Sequence, residues 1–361
     1  MLNFRLLTDP GDISSLEPTW RLLGDKDSGA NLFNSFEWIE CWLEHYWQPD
    51  YRLNLVLVET NNSVVALLPI YFNPQQNALM FLGTGEAETA EVASEYLDFL
   101  IDASNVTEKD LLDFIAGYLQ SLSGYNFLFV NCLRTSHVFK VCERMKRNVF
   151  ELSGLQFRLL LDKPFDELAA GFSKNFQKKS REIINRFNKA DGLRYQPLSN
   201  EQFEQNWTRL RDLHTRNWNE KGRPGAFQAD VFNAFHMSMH ERYPAISQHF
   251  AALYSGETAI AINHYYEYRD AYYFYLTGAE KDQYARISPG LLLHTLCIRQ
   301  LSGMHYWYDF LKGSARASYK AKFCSSTEAF FTIKVFAGNP FNFLRYLRAL
   351  LRARLKVLEL R

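Results

Sequence analysis

Apolar residues recur along the chain at two alternating periods, and the alternation predicts a mixed α/β protein. Residues 31–47 (NLFNSFEWIECWLEHYW) place Phe33, Phe36, Ile39, Trp42, Leu43, Tyr46 and Trp47 at helical spacing, with Ser35 as the N-cap. Residues 53–60 and 64–72 are two apolar runs joined by Asn61-Asn62-Ser63 and read as paired strands. A short strand at Met80–Gly83 and another at Tyr96–Ile101 follow, the latter carrying Asp98. Residues 107–122 read as a helix capped by Thr107, Phe127–Asn131 as a strand, and 137–149 as a helix.

A second unit of similar grammar opens with a strand at Phe157–Leu161. Helices are expected at 165–171, 173–190, 200–219 and 228–242, with a strand at Leu193–Pro197. Strands at 247–254 and 258–268 flank the turn Tyr254-Ser255-Gly256-Glu257, and a third runs over 271–277. A helix at 288–302, a strand at 305–311, a helix at 315–323 and a strand at 328–336 complete the unit. The tail from Asn339-Pro340 reads as one amphipathic helix with six basic residues and one acid, Glu359. The expected organisation is α/β (α+β): a mixed-sheet domain over 1–153, a second over 154–338 and a basic amphipathic helix over 339–361.

Composition narrows the function classes. The chain has 361 residues, a size for two ordinary domains, and its 47% hydrophobic content fills a sizeable core. Forty basic residues balance forty acidic ones, so no global field favours nucleic acid. The five cysteines are scattered, odd in number and form no C-x-x-C pair, which predicts reduced thiols in a cytoplasmic protein. The N-terminal segment does not read as a signal peptide, and no run of eighteen apolar residues predicts a spanning helix.

The most informative stretch is 264–322. An aromatic strand leads through Tyr284-Ala285-Arg286 into Ser288-Pro289-Gly290 and an apolar helix, and a second aromatic strand ends at Tyr308-Asp309-Phe310. Proline suits the first helical turn, Ser288 can cap, and Gly290 lets a ligand approach the backbone. Helix starts of this kind hold anions, and Arg286 adds a positive charge beside the dipole. Taken alone, Ser-Pro-Gly also fits an ordinary capped helix between two strands.

Several pieces in order resemble the GNAT superfamily, specifically its FemAB-like, BioF2-like acyltransferase branch, some of whose members accompany cellulose and exopolysaccharide biosynthesis. They are Phe33-Asn34-Ser35-Phe36-Glu37-Trp38 with Trp42; Glu95-Tyr96-Leu97-Asp98-Phe99; the basic helix around Asn175 to Arg186; and Leu213-His214 with Arg216-Asn217-Trp218 and Gly225-Ala226-Phe227. Ser288-Pro289-Gly290, Tyr308 to Gly313 and Tyr319-Lys320 close the series, which covers roughly residues 30–335. The resemblance implies two GNAT-like halves, with an acyl-CoA, acetyl-CoA foremost, held by the C-terminal one through Arg286, Ser288, Gly290 and Leu291. No metal is implied. One departure stands out. A typical phosphate loop is Arg/Gln-x-x-Gly-x-Gly/Ala, whereas Arg286 to Leu291 holds one glycine and a proline.

With that resemblance, Tyr319 is a candidate proton donor to a departing thiolate. Lys320 would hold phosphate or the oxyanion, and Asp309 would orient or deprotonate an amine. The alternative is that Asp309 caps a turn while Tyr319 and Lys320 pack. Lys179 and Arg186 belong to the basic face of 174–189, which suits an anionic acceptor and equally a solvated surface. Arg216 and Trp218, beside the Gly222-Arg223-Pro224-Gly225 loop, and Asp98 are further candidates for acceptor binding. His236 and His240 lie at i and i+4, but no third ligand is identifiable, so packing roles are favoured.

The expected acceptor is an amine or hydroxyl on a sugar or sugar nucleotide, and nucleic acid is not expected as a partner. The rival readings are aminoacyl transfer from tRNA, as in Fem-type proteins, and a non-catalytic scaffold of a polysaccharide machine. The basic tail suits either a packed helix or peripheral contact with an anionic membrane.

Overall fold

The computed structural model describes residues 1–61, 63–220, 222, 225–280, 283–314, 318–324 and 328–359. Its contacts divide the chain into two units, one of 1–154 with 328–361, the other of 155–327.

In the first unit, strands Leu2–Leu7, Leu55–Thr60, Ser63–Leu68 and Leu100–Ile101 form a four-stranded sheet. Pro69 cannot donate to a ladder, and after it the chain turns into strand Ile70–Asn73 of a different sheet. Helix Phe36–Tyr46 forms as its pattern predicts, with the Ser35 hydroxyl accepting from the Trp38 N–H at 3.2 Å. Thr107 caps helix Glu108–Ser121 in the same way.

Three expectations for this unit are corrected. The strand expected over 96–101 shrinks to Leu100–Ile101, because Asp98 is committed elsewhere. Its carboxylate accepts from the N–H groups of His137 and Val138, each at 2.7 Å, and so holds the start of helix His137–Arg144. Asp98 is a buried structural anchor. The helix expected over 137–149 stops at Arg144, and the chain then enters one thirteen-residue strand, Asn148–Leu160. The boundary expected at 153/154 therefore falls inside a strand. Finally, strand Ala329–Val335 pairs antiparallel with Asn126–Leu133, so it belongs to the first unit and not, as its position suggests, to the second.

The second unit is a sheet with helices packed on it. Strands Leu193–Ser199, Ser247–Ser255, Thr258–Tyr268 and Ala271–Ala279 pair antiparallel in that order. Strand Ala271–Ala279 then pairs parallel with Trp307–Gly313, and that strand pairs antiparallel with residues 155–160. Helices Lys174–Lys189 and Phe203–Asn219 carry apolar stripes onto this frame, and the described part of the expected 315–323 helix holds a 3-10 turn, Tyr319–Lys322. Residues 315–317 of that expected helix lie outside the described residues, as do Arg223 and Pro224.

Two irregularities interrupt this sheet. The parallel pairing of Ala271–Ala279 with Trp307–Gly313 lasts only three residues, Ala271↔Trp307 to Tyr273↔Asp309. Beyond that the two strands part. A bulge also falls at Tyr275, where the register with Thr258–Tyr268 shifts by one residue.

Candidate functional site

Helix Pro289–Leu301 starts beside Ala279 at the end of its strand, and His294, further along the helix, packs on Phe274, just past the last paired residues of the two strands. Its cap position, Ser288, has a left-handed backbone (φ 48°, ψ 70°), a strained conformation for a residue with a Cβ. The strain matters because it takes the side chain away from the helix. The Ser288 hydroxyl donates to the Ala285 carbonyl at 3.3 Å and makes no cap bond, contrary to the capping role expected for it. The first N–H groups of a helix have no intrahelical acceptor, and those of Gly290 and Leu291 are left for another partner. A Cβ placed on Gly290 would come no nearer than 3.8 Å to its first neighbour, the Ala279 Cβ. The glycine thus keeps open the space between helix and strand.

That space is a cavity of about 830 Å³. One wall is the helix start, Ser288 to Leu291, with His294 one turn deeper. A second is strand residues 274–277, all four of which line it. In a regular strand only alternate residues would do so; the bulge at Tyr275 accounts for the rest. The third wall is the end of helix Phe203–Asn219, through His214, Asn217 and Trp218, and Tyr319 closes one side.

The third wall is fixed by two devices. Gly278 lets the helix press directly on the strand: a Cβ there would stand 2.6 Å from the Leu213 Cβ and 2.9 Å from the His214 nitrogen. The Asn217 side chain accepts from the Ala279 N–H at 3.1 Å. Within the helix, the Trp218 indole N–H donates to His214 Nε2 at 2.9 Å, which sets the ring on the cavity wall.

A hydrogen-bonded chain runs beneath the cavity and meets it at both ends. Thr277 on the wall donates to Asn263 Oδ1 at 2.7 Å, and Asn263 Nδ2 donates to the Tyr265 oxygen at 3.0 Å. Tyr265 lies 2.6 Å from Tyr308, Tyr308 lies 2.7 Å from His294 Nδ1, and His294 Nε2 lies 3.3 Å from Tyr319. In the arrangement that runs one way along the whole chain, Tyr265 donates to Tyr308 and Tyr308 to Nδ1, though either phenol can serve as the donor to the other. That arrangement puts the proton of His294 on Nε2, facing Tyr319. Tyr319 accepts it and keeps its own O–H for the cavity. Burial, reinforced by the Lys320 charge, pushes His294 down to about 3, so the ring is neutral across the physiological range. Burial also pushes the Tyr319 phenol up, keeping it a donor.

Of the residues expected at the site, Ser288, Gly290, Leu291, Trp218 and Tyr319 share this cavity. The others stand outside its lining. Arg286 is exposed, and its carbonyl accepts from Arg186 at 2.6 Å, so Arg186 pins the loop that precedes the helix. Lys179 lies on the solvent face of its helix. Arg216 pairs with Glu280 at 3.0 Å on the surface. Asp309 and Lys320 hold the bulge after the splay: the Asp309 carboxylate accepts from the Leu311 N–H at 2.7 Å, and Lys320 donates to the Lys312 carbonyl at 2.5 Å and to that of Phe310. This turn-holding geometry is the alternative weighed for Asp309.

No motif marks His294 or Thr277 for a site role in the sequence, and Tyr265 and Tyr308 stand out there only as members of aromatic strands. The one available signal was His294 itself, a polar residue in the apolar run Leu291 to Leu296. Among the described residues, no group of three or more His, Cys, Asp or Glu is placed to hold a metal ion. The five cysteines are buried free thiols, and no described helix is long and apolar enough to cross a membrane.

Residues 174–321 match a family described as an acetyltransferase (GNAT) domain. Among solved structures, FemX aligns with 88% of this chain and 95% of its own at a TM-score of 0.57 and 10% identity. A conserved protein of unknown function from Bacteroides thetaiotaomicron VPI-5482 aligns with 93% of this chain and all of its own, at 0.55 and 13%. A tandem GNAT protein from the clavulanic acid biosynthesis pathway aligns with 94% and 99%, at 0.50 and 9%. At these identities the likeness is one of fold, and it spans both units. No curated protein matches the sequence.

Proposed function

We propose that this chain, which belongs to the GNAT superfamily, is an N-acyltransferase that takes its acyl group from an acyl-CoA bound in the second unit. The observation that carries this reading is a helix start with no side-chain cap that shares one cavity with residues 274–277 of strand Ala271–Ala279, the part of the strand that has left its parallel partner. A cofactor with an extended amide arm can pair with the strand edge left by the splay. Its pyrophosphate meets the N–H groups of Gly290 and Leu291. The volume is in the range of small-molecule sites.

Chemistry follows from position. An acceptor amine attacks the thioester carbonyl, and collapse of the tetrahedral intermediate breaks the C–S bond. The Tyr319 O–H lies on the cavity wall to protonate the departing thiolate, His294 Nε2–H hydrogen-bonds the phenolate so formed, and the proton that the amine loses to water on acylation is matched by one that water returns to Tyr319. Holding donor and acceptor together supplies much of the remaining rate. The acceptor proposed is an amine or hydroxyl of a sugar or sugar nucleotide, in polysaccharide or cell-envelope synthesis, with acetyl-CoA as the first donor to test.

The test is a calorimetric titration of acetyl-CoA against the protein and a Gly290→Trp variant, whose indole would fill the gap toward Ala279. Binding by the parent and none by the variant is expected. No binding by either, or equal binding by both, would overturn the donor site.

A second reading, transfer of an aminoacyl group from tRNA, is supported by the overall likeness to FemX and by the exposed basic face of helix Lys174–Lys189. Under it, aminoacyl-tRNA would bind more tightly than CoA, with the strong salt dependence of a phosphate backbone.

A further inference from the structure

Helix Pro340–Glu359 has two apolar faces, and only one of them is used. Ala349 and Ala353, with Tyr346 and Leu350 beside them, pack on Val149 and Phe336 of the first unit. On the other side, Phe341, Phe343, Leu344, Leu347 and Leu351 are 85%, 48%, 59%, 39% and 61% exposed. Residues 344, 347 and 351 follow helical spacing, so the leucines form a ridge opposite the docked alanines. The helix has already met its packing needs through the other face, and the ridge is surplus to them.

Charge identifies the occupant. Arg345, Arg348 and Arg352, spaced by three and four residues, form an exposed stripe along one flank of the ridge. Over 340–359 the sequence holds five basic residues and a single acid, Glu359. We infer that this face docks on an anionic phospholipid surface, the leucine ridge sinking to the headgroup boundary while the arginines meet lipid phosphates. A second copy is a poor occupant, since pairing two such faces brings two arginine stripes together. The helix is folded and anchored before it meets the bilayer, so little ordering cost opposes binding. Docking would hold the protein at the membrane surface as a peripheral protein. The inference stands whether or not the acyl-CoA reading does.

The test is co-sedimentation of the full chain with phosphatidylcholine vesicles, with and without phosphatidylglycerol. Binding is expected only to the anionic vesicles and is expected to fall with added salt. Leu344→Ser with Leu351→Ser should weaken it at least about tenfold, from the apolar area withdrawn. Arg345→Gln with Arg348→Gln and Arg352→Gln should weaken it by roughly 10²-fold, at about fivefold per arginine. All these positions are exposed, so thermal unfolding of both variants should match the parent. Absence of binding to anionic vesicles, or undiminished binding by the leucine variant, would overturn the inference. So would a dimer in sedimentation equilibrium that the leucine variant abolishes while vesicles fail to bind, which assigns the ridge to a second copy.

Discussion

His294 and Tyr319 come within 3.3 Å of each other, Nε2 to hydroxyl, on the wall of the cavity between helix Pro289–Leu301 and strand Ala271–Ala279. One residue is buried and the other opens to solvent, so the pair joins the core network to the place where a ligand would sit. The neutral ring donates and the phenol accepts, which leaves the phenolic proton for the cavity.

Tyr319→Phe removes that proton and little else. Its kcat is expected to fall about 10²-fold or more, with the KM for acyl-CoA changed by less than about twofold. Steady-state kinetics with a thiol-release assay checks this. A loss confined to KM would make Tyr319 a packing residue.

Acid should destabilise the protein through its buried histidines. His294 and His264 titrate in the fold at about 3, mainly because burial opposes their charged forms, against about 6.5 in an unfolded chain. Above pH 6.5 both states are neutral and the groups contribute no pH dependence. Between 6.5 and 3 the unfolded chain binds protons that the fold refuses, so stability falls with pH by about 1.4 kcal/mol per unit for each group. Asp98, raised to about 6 by burial, acts in the opposite sense between 6 and 3.8, so the total slope is a sum. Urea unfolding at stepped pH should show that His294→Gln flattens the wild-type profile by about one group's slope.

Gly278, against helix Phe203–Asn219, and Gly290, on the cavity wall, should respond differently to alanine. Gly278→Ala drives a methyl into Leu213 and the His214 nitrogen and is expected to cost about 1–3 kcal/mol. The displaced helix also carries His214 and Trp218, so acyl-CoA affinity should weaken. Gly290→Ala meets only Ala279 at 3.8 Å and should leave stability unchanged or raise it by up to about 1 kcal/mol. Urea midpoints of the two variants separate the cases.

Much of the fold was legible along the chain, for local reasons. Ser35 and Thr107 cap where their spacing says they should, and the second unit's strands and helices follow their apolar periods closely. The misreadings have specific causes. Asp98 looked like part of a strand because a single carboxylate spending itself on His137 and Val138, some forty residues on, leaves no periodic trace. Of the long strand Asn148–Leu160 only the end is legible as the strand Phe157–Leu161, because the residues before it, Phe150-Glu151-Leu152-Ser153-Gly154, do not hold a period of two. Lys320 looked like an anion holder, yet its ammonium is turned onto the Lys312 and Phe310 carbonyls.

The sequence by itself determined that two mixed-sheet units are present, that Ser288-Pro289-Gly290 begins a helix, and that the tail is a basic amphipathic helix. Each of these rests on neighbours within a few residues, where period, capping and backbone preference act. Tertiary structure alone decided that strand Ala329–Val335 returns to the first unit, and that Tyr265, Tyr308, His294 and Tyr319 form one hydrogen-bonded line. It also decided that the tail helix buries one apolar face and bares the other. These outcomes depend on which surfaces meet, and hydrophobic burial, the force that brings them together, has no direction along the chain.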